Sequence, residues 1–271
     1  MTRDTQIQEL TSPEFLTDLK MLYPATSPSE RKGENSVTNR NRNPWYLVAA
    51  VTFAACNRPK AIQELLKYAL GETSEDHDDR LFVVRSFREA LFKSGLIIGY
   101  SRTINGLVSL REATPIELCD KETLRDVKGD DPVQTFTDRG DALFVSMYND
   151  NANHVQDLLD DIHPDMGWFS KNIGYGYVYG ANHVLSQVET SYAIVAGLIA
   201  MDTPRQSAWH LQNCINGGAT VAEARAVRTI AMEVAARCGI VWENEVPDVI
   251  CAKEQNGGGS GEGESGGARK E

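Results

Sequence analysis

Along this chain hydrophobic positions recur with helical rather than strand spacing. Between residues 5 and 22, Leu10, Phe15, Leu16, Leu19, Met21 and Leu22 return among polar neighbours, and Ser12-Pro13-Glu14 supplies the cap, first-turn proline and early acid of a helix start. No apolar spacing survives from Ser27 to Asn43, which predicts an exposed connector. The unbroken apolar run from Tyr46 to Cys56 contains Ala49, Ala50, Ala54 and Ala55, and alanine favours a buried helix over a strand. Asn57-Arg58-Pro59 breaks it, and Ile62, Leu65, Leu66 and Ala69 then form one helical stripe. An acidic loop, Glu72 to Asp79, precedes a helix predicted over Arg80 to Ser94 and stopped by Gly95. A further helix follows a break at Gly99, and Thr114-Pro115-Ile116-Glu117 reads as another start.

Residues 120 to 133 form a polar break that includes Lys128-Gly129-Asp130, after which Arg139-Gly140-Asp141 opens an amphipathic stretch through Tyr148 to Ile162. His163-Pro164-Asp165 ends it and caps a helix over Met166 to Tyr179. The stretch from Glu189 to Ile240 contains an apolar helix (Tyr192 to Met201), a Thr203-Pro204 start, a helix carrying Trp209-His210-Leu211, a Gly217-Gly218 stop and a closing helix ending at Gly239. It repeats residues 46 to 96. In both, an alanine-rich apolar helix meets a polar-Pro-basic break (Arg58-Pro59-Lys60; Thr203-Pro204-Arg205), then an amphipathic helix, then a closing helix, with Gly95 matched to Gly239. Each unit has more apolar helical surface than it can bury alone, so the expected fold is all-α and pseudo-two-fold. The expected boundaries are an N-terminal helix and connector (1–42), a first repeat (43–113), connecting helices (114–188), a second repeat (189–252) and a disordered Gly/Ser/Glu tail (253–271), too polar to offset its ordering entropy.

Charge narrows the partners. A formal net charge of −11 over 271 residues lacks the clustered cations that nucleic acid or an anionic membrane surface requires. A small-molecule substrate is expected instead. The N-terminus shows no apolar signal core, no run of about 18 apolar residues occurs, and the C-terminal Ala-Arg-Lys-Glu is not a Ser-Lys-Leu-type address, so the expected location is the cytoplasm. Five cysteines (Cys56, Cys119, Cys214, Cys238, Cys251) form no Cys-x-x-Cys pair and are expected to be reduced. The acidic surroundings of His77 read as a solvated loop, as do Arg40 and Arg42. His154, His163 and His183 lack ligand-like spacing, so neither a metal nor a cofactor is expected.

The segment Tyr192-Ala-Ile-Val-Ala-Gly-Leu-Ile-Ala-Met-Asp202, then Trp209-His210, then Asn216-Gly217-Gly218-Ala219-Thr220-Val-Ala-Glu223, resembles the carboxymuconolactone decarboxylase family of the AhpD-like superfamily. Arg139-Gly140-Asp141, Phe144, Tyr148, His163-Pro164-Asp165 and Tyr175-Gly176 look like the block preceding that domain. The resemblance implies a helical homo-oligomer, a trimer for a chain already holding two copies. It also implies acid-base decarboxylation or isomerisation of a small carboxylated or lactone metabolite. His210 would be the proton-transfer residue, since an unperturbed imidazole titrates near 6.5. Arg205 would hold a carboxylate, Trp209 would wall the pocket, and Asn213, three residues on, would orient the imidazole.

Glu189 is the candidate acid, although the family's position falls on Ser191. Two residues turn a helical side chain by roughly 200°, so Glu189 reaches His210 only from a loop ahead of the helix. The peroxide reductases of the superfamily use a Cys-x-x-Cys pair where this chain has Asp202-Thr203-Pro204-Arg205 and Asn57-Arg58-Pro59-Lys60. A thiol-dependent peroxidase would therefore have to use Cys56 and Cys214. A non-catalytic homo-oligomeric scaffold is the third alternative.

Overall fold

The computed structural model describes residues 3–25, 43–120, 123–125 and 131–249, and every regular element among them is helical. The connector with Arg40 and Arg42, the Lys128-Gly129-Asp130 break, Cys251 and the 253–271 tail lie outside the described residues. The N-terminal pattern yields two helices, α1 (Arg3–Leu10) and α2 (Pro13–Leu22), divided at Thr11; Ser12 caps the second by accepting from the Phe15 N–H at 3.3 Å. The apolar run becomes α3 (Trp45–Ala55), buried at every position. After Asn57, held at φ 55°, Pro59 opens α4 (Pro59–Gly71).

The next helix corrects the sequence reading. Asp76 caps α5 (His77–Ile98) by accepting from the N–H groups of Asp78 and Asp79, so His77 begins a helix instead of sitting in a loop. Gly95 lies inside α5, and the stop is Gly99 at φ 92°, a conformation only glycine adopts without strain. α6 (Tyr100–Ala113) follows at once; Thr114-Pro115 starts only a single 3₁₀ turn, Ile116–Leu118. α7 (Pro132–Tyr148) is capped by Asp131 and runs straight through Arg139-Gly140-Asp141, which is its middle and not its beginning. α8 (Ala152–Ile162) and a short turn, α9 (Met166–Trp168), lead into a π-helix over Phe169–Tyr179, where an ordinary α-helix was expected.

The second set of helices is α10 (Gln187–Ala200), α11 (Pro204–Asn216) and α12 (Val221–Arg237). Ser186 and Glu189 form a capping box at the start of α10, and Thr220 and Glu223 form another at the start of α12. The two sets correspond in backbone as well as in sequence. Asp202, at φ 53°, matches Asn57, and Gly239, at φ 91°, matches Gly99.

Matching Gly239 to Gly99 aligns the buried positions of α5 and α12: Val84 with Ala224, Phe87 with Val227, Ala90 with Ile230, Leu91 with Ala231, Ile98 with Cys238. The pairing of Gly95 with Gly239 is therefore displaced by four residues. A four-residue slip nearly preserves a helix face, which is why the apolar pattern alone admits it. Packing follows the same symmetry, since α3 touches α5, α10 and α12 while α10 touches α12, α3 and α5. One apolar core encloses this centre. A second core, built from Phe144, Met147, Tyr148, Tyr175, Val178 and Tyr179 with Ile194 and Leu198, joins α7 and the π-helix to the second set.

Candidate functional site

His210 sits in the middle of α11, on the face turned to α7, and is 6% exposed. The Pro59–Pro204 match sets it opposite Leu65, which is fully buried, so a polar ring occupies what is an apolar core position in the first set. A buried imidazole needs partners on both nitrogens. The last turn of α7 supplies one: the Tyr148 hydroxyl lies 3.4 Å from Nε2, and Tyr148 in turn accepts from the Tyr175 hydroxyl of the π-helix at 2.8 Å.

Asn213, one turn along α11, supplies the other. With its amide nitrogen turned to donate to Met147 O (2.7 Å) and Trp209 O (3.0 Å), its oxygen faces His210 Nδ1 at 3.5 Å. The network assigns the proton to Nδ1, leaving Nε2 to accept from Tyr148. Burial, which cannot solvate an imidazolium, pulls the His210 pKa down to about 4, and it raises that of Tyr148, so both groups are neutral near pH 7.

Of the other expected site residues, Glu189 and Arg205 are placed apart from this cluster. The Glu189 carboxylate accepts from the Ser186 N–H at 2.9 Å within the capping box, and its charge is felt at Lys93. Ser191 is fully buried, and among the described residues its hydroxyl has no hydrogen-bond partner. Arg205 is exposed in the first turn of α11. Trp209 is half-buried against the second core. Cys214 is fully buried, donates to its own helix at His210 O (3.2 Å), and is pushed up in pKa by burial, which makes it an inert thiol. Cys56 stands at the C-terminal end of α3, where Arg58 donates to its carbonyl at 3.4 Å. Two grooves among the described residues, one of about 290 Å³ beside Trp45 and Glu72 and one of about 250 Å³ beside Lys60 and Glu64, do not include His210.

Three functional-looking groups escaped sequence reasoning. Tyr148 and Tyr175 belong to the block carrying the family resemblance, but only the fold brings them to His210. The third is Lys93, fully buried on α5, which donates to Tyr179 O at 2.9 Å and Thr190 Oγ1 at 2.7 Å. Beside it Arg125 pairs with buried Glu89 and donates to Tyr177 O (2.9 Å) and Val178 O (2.8 Å). Two basic side chains thus cap the last carbonyls of the π-helix, which have no partner within it. Burial lowers the Lys93 pKa to about 7.

The structure defines a class: an all-α protein of two related helix sets, with one histidine–tyrosine cluster buried where a third layer meets the second set. The comparisons place it more narrowly. "Peroxisomal protein 2" of Schizosaccharomyces pombe is 31% identical over 201 residues, spanning 74% of this chain and 90% of the relative. "Peroxisomal protein 2" of Saccharomyces cerevisiae is 27% identical over 260 residues, spanning 76% of this chain and 92% of the relative. The chain belongs to this Peroxisomal protein 2 family. No family model matches it. The relatives' names overturn the expected cytoplasmic location. A receptor reads an address rather than a fold, so composition and packing carry no record of it. Among the described residues no helix is long and apolar enough to cross a membrane, and no three His, Cys, Asp or Glu side chains converge as metal ligands.

Proposed function

We propose that the chain is a peroxisomal enzyme of the carboxymuconolactone decarboxylase type, moving a proton on a small carboxylated or lactone metabolite without redox chemistry. The single observation behind this reading is the Tyr175–Tyr148–His210–Asn213 chain of buried hydrogen bonds. A phenol held between a second phenol and a neutral imidazole can give a proton to a developing carbanion and recover it, and a dry site strengthens each of these interactions. Tyr148 takes the partner role that Glu189, held in its cap, does not fill. The location is supported by the relatives' names, and the superfamily by the repeated helix set with its Asn216–Glu223 turn.

The test is turnover of a panel of lactone acids, followed by ultraviolet absorbance and CO₂ release. His210→Ala is expected to lower kcat/KM about 100-fold or more, and Tyr148→Phe by a similar factor, with unchanged circular dichroism. Full activity in His210→Ala sinks the proposal.

A second reading, a non-catalytic scaffold, draws on the exposure of Arg205 and on two grooves that bypass His210. Wild-type protein inert on the whole panel selects it. Both readings include self-association. Tyr100, Ile104 and Val108, spaced four apart on α6, are 80%, 41% and 52% exposed and form an apolar stripe suited to a second copy. Sedimentation velocity should find an oligomer, a trimer on the two-copy argument, that Tyr100→Glu/Ile104→Glu dissociates; a monomeric wild type refutes this part.

A further inference from the structure

Two exposed apolar faces of this chain carry unlike charge. One is the ridge on α6, Tyr100, Ile104 and Val108, together with Leu96 near the end of α5, which is 43% exposed. Residues 90 to 111, which contain this ridge, include no Asp or Glu, although the chain carries 38 such residues. Its cations are exposed Arg111 and half-buried Arg102; Glu112 turns to α4, where it accepts from Gln63 at 2.9 Å. The other face is the corner where α8 turns through α9 into the π-helix. There Ile162, Met166, Trp168 and Phe169 are 61%, 39%, 54% and 41% exposed. A fixed backbone holds them out. The Asp165 N–H donates to His163 Nδ1 at 3.1 Å, the Met166 N–H to His163 O at 2.9 Å and the Phe169 N–H to Asp165 O at 2.9 Å. Gly167 lets α9 fold onto α8, since a side chain there would run into Asp160 and Gln156. The corner carries four exposed aspartates, Asp157, Asp160, Asp161 and Asp165, and residues 140 to 170 include no Lys or Arg. Lys171, the next cation along the chain, pairs with Asp141 at 2.9 Å.

We propose that the α6 ridge of one copy docks on the α8/π-helix corner of the next, so that copies of this chain join head to tail. This rests on the self-association included in the reading above and adds which two faces meet. Each face alone leaves large apolar side chains in water, and burying one against the other removes that cost. Tyr100 and Trp168, the most exposed aromatic side chains of the two faces, are of the types that anchor interfaces. Charge selects the pairing. A chain of net charge −11 repels its own copies in most approaches. Corner against corner would set four aspartates against four. Corner against ridge sets them beside Arg111 and Arg102, with no carboxylate from residues 90 to 111 in opposition. Ridge against ridge would leave the corner bare. An interface between unlike faces leaves each copy one free face for a further copy, until a ring closes.

The test is sedimentation velocity on the full-length chain. A ridge variant, Tyr100→Glu/Ile104→Glu, and a corner variant, Ile162→Glu/Trp168→Glu, are first checked for fold by circular dichroism. Each alone should be monomeric. Mixed in equal amounts at high concentration, they should form a dimer containing one of each and nothing larger. The intact corner of the first meets the intact ridge of the second, and no other pair of good faces remains. Asp157→Lys/Asp161→Lys, at two exposed positions, should weaken assembly at least tenfold in about 0.1 M salt and much less in about 1 M, where charges are screened. An oligomer untouched by the corner variant, or two variants that stay monomeric when mixed, overturns the head-to-tail pairing and leaves the α6 contact standing. A monomeric wild type overturns both, and neither result bears on turnover at His210.

Discussion

Gly140→Ala should cost about 4 kcal/mol or more in urea denaturation, and Gly176→Ala as much, because neither position has room for one added carbon. A Cβ on Gly140 would stand 2.1 Å from Lys171 O and 2.9 Å from Lys171 C; a Cβ on Gly176 would stand 2.1 Å from Phe136 O and 2.8 Å from Phe136 C. These are backbone atoms in α7 and the π-helix, and no rotamer change moves them aside. The two helices cross with main chain against main chain, each through the other's glycine. Alanine at either place forces them apart and opens the second core beneath, where Phe144, Met147 and Tyr175 are buried. Gly174→Ala is the control: its Cβ would meet only Leu96 Cδ1 at 3.7 Å and Tyr179 Cε2 at 3.9 Å, so its stability should stay within about 1 kcal/mol of wild type. Since Tyr148 hangs from the last turn of α7, separation of this layer also withdraws the phenol from His210. A Gly140→Ala protein as stable as wild type would show that the crossing is looser than the contacts require.

These glycines mark where the sequence was legible and where it was not. The apolar runs of α3 and α10 declared themselves, because a helix apolar on every side has nowhere to go but the centre. The Asn57-Arg58-Pro59 and Asp202-Thr203-Pro204 breaks were equally plain, because proline at the first turn has few other uses. Arg139-Gly140-Asp141 was visible as a motif but was misread as a helix opening. The glycine there permits a close crossing, and that requirement comes from the π-helix some 30 residues away in the chain. The site divided along the same line. His210 stood out as the one imidazole between two apolar helices, and Asn213 followed from helical spacing. Tyr148 and Tyr175 did not, because each reaches its partner across a tertiary contact that no period of 3.6 residues encodes. Glu189 was the candidate acid on condition that it lay in a loop ahead of the helix; it stands inside α10, whose capping box claims its carboxylate.

Lys93→Ala should cost about 4 kcal/mol at pH 7, combining the cavity left by a fully buried stem with acceptors orphaned at Tyr179 O and Thr190 Oγ1. Lys93→Met keeps most of the volume and should lose less. The charge is tested by pH. In the fold the Lys93 pKa is about 7, against 10.5 for an unburied lysine. Between those values the unfolded chain binds the proton and the folded chain does not, so this group's contribution to stability rises with pH across the window and falls away as pH drops through 7. Each pH unit inside the window is worth about 1.4 kcal/mol. From pH 7 to pH 9 the wild type should therefore gain roughly 2 to 3 kcal/mol relative to Lys93→Met, a difference in which titrations common to both proteins cancel. Parallel stability curves for the two proteins would mean that Glu89 and Glu189 hold the ammonium charged throughout. In that case the last turn of the π-helix is closed by a permanent cation pair, Lys93 with Arg125, and not by a group that releases its proton near neutrality.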